Sequence, residues 1–91
     1  MISYGILMRV VMNKPSDVSY IDHHIGQRMR QARLAANCSL EAVACEVGVT
    51  APVIRYYERG SRRCYAARLY RIGRFLGVDV SYFYEGMPDN K

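Results

Sequence analysis

The chain has 91 residues, of which 51% are hydrophobic and 23% charged, with a formal net charge of +5. This length holds one small core and excludes a second independent domain, and the balanced composition excludes a disordered tail or a fibrous repeat. With neither a metal motif nor a disulfide framework, so thin a core depends on helix packing or self-association, so a homodimer is expected.

The charge is unevenly spread. Between Arg28 and Arg74 there are ten Arg and no Lys against Glu41, Glu46 and Glu58, a local charge of +7, while the flanks are net acidic. A planar guanidinium grips a phosphate or a guanine edge through two parallel hydrogen bonds, so a polyanion is the natural partner. A solvated basic face is the plainer alternative. Cys38, Cys45 and Cys64 are odd in number and contain no CxxC, which argues against zinc and against a disulfide scaffold. Cys38 and Cys45 are expected to pack as small hydrophobes, whereas Cys64 stands among Arg62, Arg63 and Tyr65, a setting that lowers a thiol pKa. Reduced thiols in the cytoplasm, near the nucleoid, are the default expectation.

In chain order, Ile2–Met12 (ISYGILMRVVM) is too short to cross a bilayer and lacks a basic leader and a cleavage site, so no membrane role is expected. Its β-branched and aromatic content predicts a short strand that pairs with its counterpart in a second subunit. Equally, Met12 is a start and the preceding residues an unstructured extension. Asn13–Tyr20 reads as linker, which makes residues 1–21 an N-terminal extension. A helical domain follows over 22–86, and 87–91 is a C-terminal tail.

The first helix is predicted from Asp22 as its cap, with Ile25, Met29, Ala32 and Ala36 as its apolar stripe and Asn37 as its end. Ser39 is placed to cap a second helix, Leu40–Val47, with Glu41 one position early for a capping box, and Gly48 stops it. Thr50 offers the next cap, Ala51–Arg59 the third helix with Pro52 tolerated in its first turn, and Gly60 the break. Leu69, Ile72, Phe75 and Leu76 mark a fourth helix ending at Gly77. Asp79 caps a fifth, Val80–Tyr84, whose Phe83 folds back on the core.

The run LEAVACEVGVTAPVIRYYER, Leu40–Arg59, joins two helices through a glycine turn with small or branched residues at the facing places. Here the chain resembles the Cro and lambda-repressor (XRE-like) helix-turn-helix transcriptional regulators. IGQRMRQAR, YYERGSRR and LGVDVSYFYE extend the likeness, and YERG with AARLYRI and VSYFYE is similar to short alphaproteobacterial regulators of this type. The resemblance implies an all-α, five-helix lambda-repressor-like bundle. It also implies a sequence-specific regulator of double-stranded DNA, more a repressor than an activator, that binds an inverted-repeat operator as a homodimer.

Carried onto this sequence, the resemblance lays the helix near 51–59 in the major groove. Ala51, Pro52, Val53, Arg55 and Tyr56 then face the bases, with Arg55 the one side chain able to make a bidentate guanine contact, and DNA shape supplies part of the specificity. Arg59, Arg62 and Arg63, with Ser39, Leu40 and Thr50 at the helix starts, are placed for phosphates. Arg28 and Arg30 are weaker candidates for the same contact. Arg33 and Glu58 match a partly buried salt bridge in such proteins, and Tyr57 matches a core position.

Tyr70, Tyr82 and Tyr84 are read as core and dimer rim, and His23 and His24 as surface residues, since neighbours on a helix diverge. No nucleophile elbow, phosphate loop or paired carboxylate supports an enzyme, and no cofactor is expected. The rival reading is an interaction module, antitoxin-like or adaptor, that keeps the fold but presents Ala51, Pro52 and Val53 to a protein partner.

Overall fold

Residues 19–88 are described by a computed structural model, in which four α-helices precede a 3-10 turn: α1 Ser19–Ala35, α2 Leu40–Val47, α3 Ala51–Arg59, α4 Ala66–Leu76, and the 3-10 segment Val80–Tyr84. The described residues contain no strand, and the strand expected over Ile2–Met12 lies outside them.

The two central helices have strong local boundaries. Ser39 Oγ accepts the Ala42 N–H at 3.0 Å, satisfying an amide that α2 itself leaves unpaired, a contact worth about 1 kcal/mol. Gly48 then takes φ +76°, a left-handed conformation that costs a glycine nothing, and turns the chain by three residues into α3. Thr50 has the extended backbone of a cap but makes no side-chain cap bond, and Pro52 falls in the first turn where its missing N–H has no partner to lose.

Met29, Ala32, Val43, Ala44, Val47, Ile54, Tyr57, Leu69, Ile72, Leu76 and Phe83 form the core, drawn from every element. α3 packs against both α1 and α2, α4 rests on α2, and the 3-10 segment returns to α1. Phe83 is fully buried, so the last turn closes the core as expected.

Several expectations are corrected. α1 begins at Ser19, three residues before Asp22, and carries Ile21 and Ile25, four apart, on one face beside a cavity that Tyr57 also lines. Asp22 is therefore inside the first turn rather than a cap, and its carboxylate accepts from Arg63 Nε at 3.3 Å and Nη2 at 3.4 Å. Ala36 lies past the helix end and is exposed. The fifth helix is a 3-10 turn: Asp79 accepts from the Ser81 hydroxyl at 2.7 Å and the Ser81 N–H at 3.1 Å, which tightens the start of a five-residue segment. Those bonds, the hydroxyl first, hold the Asp79 carboxyl below its usual pKa. Phe75 and Tyr70 are 39% and 51% exposed, on the outer side of α4, and Tyr84 is exposed as well; Tyr82 is half-buried. Cys45 is exposed rather than packed. His24 is half-buried, with Nε2 donating to the Glu85 carbonyl at 2.7 Å, so it helps to tie down the chain's end.

Candidate nucleic-acid interface

The site begins with how α3 is held. Gly26 of α1 lies so close to the end of α3 that a Cβ there would stand 2.5 Å from the Glu58 carbonyl oxygen, and closer still to that of Tyr57. Only glycine permits this approach. Gly60, at φ +75°, closes on α1 from the other side, and a Cβ on it would meet the His23 backbone at 2.8 Å.

Further along α1, a buried ion pair joins the same two helices. Arg33 Nε donates to Glu58 Oε2 at 2.6 Å and Nη2 to Oε1 at 3.1 Å, with each residue 8% exposed. Arg33 Nη1 also donates to the Cys38 carbonyl at 3.0 Å, so one guanidinium joins α1, α3 and the turn before α2. The hydrogen bond to Glu58 outweighs burial and raises the Arg33 pKa, which keeps it charged. Tyr57 is buried beside Ile54 and accepts from Arg68 Nη1 at 2.7 Å through its hydroxyl, as befits a core residue rather than a base contact.

The ten arginines divide by use. Arg28 is a clamp on the far side of α1: its Nε donates to the Tyr82 carbonyl at 2.8 Å, its Nη2 to Glu85 at 3.0 Å, and its guanidinium lies 3.7 Å from the Tyr82 ring centroid. These bonds engage a side chain that the sequence offered as a weaker candidate for a phosphate. Arg63 holds Asp22, Arg71 donates to the Glu46 carbonyl at 3.0 Å, and Arg74 to the Tyr70 hydroxyl at 3.3 Å. Arg62 lies over the Tyr56 ring, 5.2 Å from its centroid. Among the described residues, Arg30, Arg55 and Arg59 have no ion-pair or side-chain hydrogen-bond partner.

Those three arginines come together. A polar cavity of about 260 Å³ between α1 and α3 is lined by Arg30, Arg33, Leu40, Arg55, Glu58 and Arg59. The sequence reading placed Leu40, Arg55 and Arg59 at the interface but ranked Arg30 low. Its signal was available, since Arg30 lies one turn from Arg33 on the same helix face and must therefore border α3.

The remaining candidates are spread along the same edge. Pro52, Arg55 and Tyr56 are exposed, Ala51 is half-buried, and Val53 is half-buried against the core, which limits how far its side chain reaches outward. Thr50 and Ser39 are exposed, though the Ser39 hydroxyl is engaged by the Ala42 amide, and Leu40 packs inward. Arg63 stands apart, at a second cavity of about 300 Å³ shared with Ile21, Asp22, Tyr57 and Cys64. Burial pushes the Cys64 thiol up to about 12 against a weaker opposing pull from Arg68, the reverse of the activated thiol its basic neighbours suggested.

A capped helix, a left-handed glycine turn and a second helix bearing unpaired arginines constitute a helix-turn-helix unit. The family described as helix-turn-helix domain matches residues 24–81, and the chain belongs to it. It is 40% identical over 70 residues to an uncharacterized transcriptional regulator in the ATPase CF(0) region of Rhodospirillum rubrum, covering 77% of this chain and 65% of that protein. It is likewise 40% identical over 77 residues to the HTH-type transcriptional regulator y4aM of Sinorhizobium fredii, covering 85% of this chain and 54% of that one. The chain thus spans between about half and two thirds of the length of these curated relatives. Its fold is similar to that of the restriction-modification controller protein C.AhdI from Aeromonas hydrophila, with a TM-score of 0.68 at 24% identity over 74% of this chain and 97% of that one. No helix among the described residues is long and apolar enough to cross a membrane.

Proposed function

We propose that this chain is a sequence-specific, double-stranded-DNA-binding transcriptional regulator that acts as a homodimer on an inverted repeat and represses by covering it. The observation that carries the reading is the division of the arginines: those bonded internally hold the fold, while the unpaired Arg30, Arg55 and Arg59 gather at the edge where α1 meets α3. With α3 in the major groove, Ala51, Pro52, Val53, Arg55 and Tyr56 face the bases. Arg59, Arg62 and Arg63, with the Ser39, Leu40 and Thr50 positions, approach the phosphates. Arg63 would have to exchange its exposed Asp22 contact for one, which its 59% side-chain exposure allows. Exposed Phe75, Val80 and Tyr84 offer apolar surface for a second copy.

A genomic-fragment selection at about 150 mM salt, which screens most non-specific attraction, tests this. Enrichment of an inverted repeat with half-sites about ten base pairs apart is expected. Enrichment of nothing above background refutes DNA reading and turns the search to a protein partner. The apolar character of Ala51, Pro52 and Val53 favours that second reading, and a complex of that kind would keep its affinity as salt rises.

A further inference from the structure

We infer that the cavity beside the start of α1 binds a small amphipathic carboxylate, an aryl acid of about ten non-hydrogen atoms, and that this ligand opposes DNA binding. The opposition to DNA rests on the function proposed above; the binding of the acid does not.

The cavity, about 300 Å³, is enclosed by the first turns of α1, the loop between α3 and α4, and the end of the 3-10 segment. That volume is at the lower end for small-molecule sites and, at about 30 Å³ per water-sized group, takes roughly ten non-hydrogen atoms. Its lining is of two kinds. Ile21, Ile25, Cys64 and the rings of Tyr57 and Tyr84 supply apolar surface, with Ile25 and Cys64 packed on the core. Burial keeps the Cys64 thiol neutral, so it offers no charge to a ligand. Two tyrosine rings favour a flat aromatic body through edge or offset contacts. Tyr84 is 47% exposed, so its ring can border both this cavity and a second copy.

Charge selects the sign of the ligand. Arg62, Arg63 and Asp22 also line the cavity, and Arg68 adds a third cation close by, since its charge reaches Cys64 and its Nη1 donates to the Tyr57 hydroxyl at 2.7 Å. Asp22 is the one acid in the lining. Of the acids next to the other walls, Glu58 is paired with Arg33 and Glu85 with Arg28, so the balance is positive. Asp22 accepts from Nε and Nη2 of Arg63 at 3.3 and 3.4 Å, which leaves Nη1 without a partner among the described residues. Arg62 has the Tyr56 ring, 5.2 Å from its guanidinium, and no hydrogen bond among those residues. These free N–H groups suit a single carboxylate, whereas a phosphate dianion would have to shed more water to enter so apolar a lining.

None of Ala51, Pro52, Val53, Arg55 and Tyr56 lines the cavity, so the acid leaves the base-facing positions uncovered. Its effect runs through Arg63. To reach a phosphate that residue must leave Asp22, and a carboxylate bonded to its Nη1 gives it a second inward partner. The ligand-bound form therefore favours the orientation in which Arg63 does not touch DNA.

Titration of the isotope-labelled full chain with phenylacetate, followed by amide chemical shifts at constant ionic strength, tests the site. Saturable shifts are expected around Ile21, Ile25, Cys64 and Tyr84, with a Kd on the order of 0.1–1 mM for a ligand of this size. Acetate, phenethyl alcohol and phenethylamine, which lack the body, the charge or its sign, should bind at least about tenfold more weakly. Arg62→Gln and Arg63→Gln should each weaken phenylacetate by about tenfold, and Arg74→Gln, at the separate Glu46 hollow, should not. Arg62 is exposed and makes no ion pair among the described residues, so that variant should keep the fold, as far-UV circular dichroism would verify. In operator anisotropy, phenylacetate at about ten times its Kd should weaken the parent by up to about tenfold, the limit for mutually exclusive binding, and Arg63→Gln by about twofold at most.

If the parent binds no duplex but takes up phenylacetate in an arginine-dependent way, the pocket stands and the DNA reading fails, with the opposition built on it. An operator affinity indifferent to saturating phenylacetate overturns the opposition alone. Absence of saturable shifts, shifts centred away from the cavity, or equal binding of phenethylamine or by both arginine variants overturns the pocket.

Discussion

Replacing Gly26 by alanine sets two effects of opposite sign against each other. Alanine is the better helix former by about 1 kcal/mol in a helix interior, so propensity alone predicts a more stable protein. The new Cβ would, however, stand 2.5 Å from the Glu58 carbonyl oxygen, where ordinary contact begins at 3.4 Å, and the obstructing atoms are backbone. α3 would have to retreat by more than 0.9 Å, since the Tyr57 carbonyl oxygen is nearer still, and because Glu58 itself moves, its 2.6 Å bond to Arg33 loosens with it. Overpacking costs about 1–3 kcal/mol or more, and a rigid obstruction belongs at the upper end, so a net loss near 2 kcal/mol is expected. For a domain of this size that is a fall in Tm of about 8–16 °C. Thermal and urea denaturation followed by circular dichroism would measure it. A Gly26→Ala variant as stable as the parent, or more so, would refute the tight seating of α3 on α1.

Glu58→Gln keeps the shape of the side chain but leaves the Arg33 guanidinium buried without its counter-charge, and should cost about 3 kcal/mol in urea unfolding; a loss below about 1 kcal/mol would mean that the pair is solvated. Cys64, with its pKa pushed up to about 12 from an ordinary 9.0, favours the neutral thiol in the folded state, so its contribution to stability is present below pH 9 and is lost as pH rises towards 12. At pH 8 it should alkylate with iodoacetamide far more slowly than exposed Cys45, its thiolate fraction being lower by about three orders of magnitude than in an ordinary thiol; equal rates by mass spectrometry would contradict the burial.

What was legible in the sequence follows from how local each signal is. Leu40–Val47 and Ala51–Arg59 have the predicted limits because Ser39, Gly48, Thr50 and Gly60 punctuate both ends of both helices. The start of α1 is misplaced from sequence because Asp22 has the chemistry of a cap, whereas the helix runs from Ser19 with Ile21 and Ile25 lining a cavity shared with Tyr57, a surface that exists only in the folded chain. Phe75 and Tyr70 suit an apolar helix, yet which row of α4 turns inward is decided by α2 and Phe83, not by α4's own spacing. The arginines show the limit most clearly. Arg28 and Arg30 are two residues apart, about 200° around the helix, so one grips the 3-10 turn and the other the cavity beside α3, and only the spacing of Arg30 from Arg33 separates them in the sequence.

The pairing of acids with arginines connects the stability of this fold to its surface charge. Glu58 is taken by Arg33, Asp22 by Arg63 and Glu85 by Arg28, while Glu46 borders a hollow with Arg71 and Arg74 on the α4 side. Each of these contacts draws an acid away from the outer face of α3 as it ties one element to another. The Arg33–Glu58 pair does both at one place: it fixes α3 on α1 and consumes the single acid lining the cavity that holds Arg30, Arg55 and Arg59. A positive field at short range, tempered by Glu41, whose charge reaches Arg33, therefore arises from the same contacts that hold the helix rigid. A polyanion approaching that face meets guanidiniums that need not first be released from internal partners, which favours fast, salt-sensitive encounter. A single core ion pair thus sets both the angle at which α3 is presented and the charge that it presents.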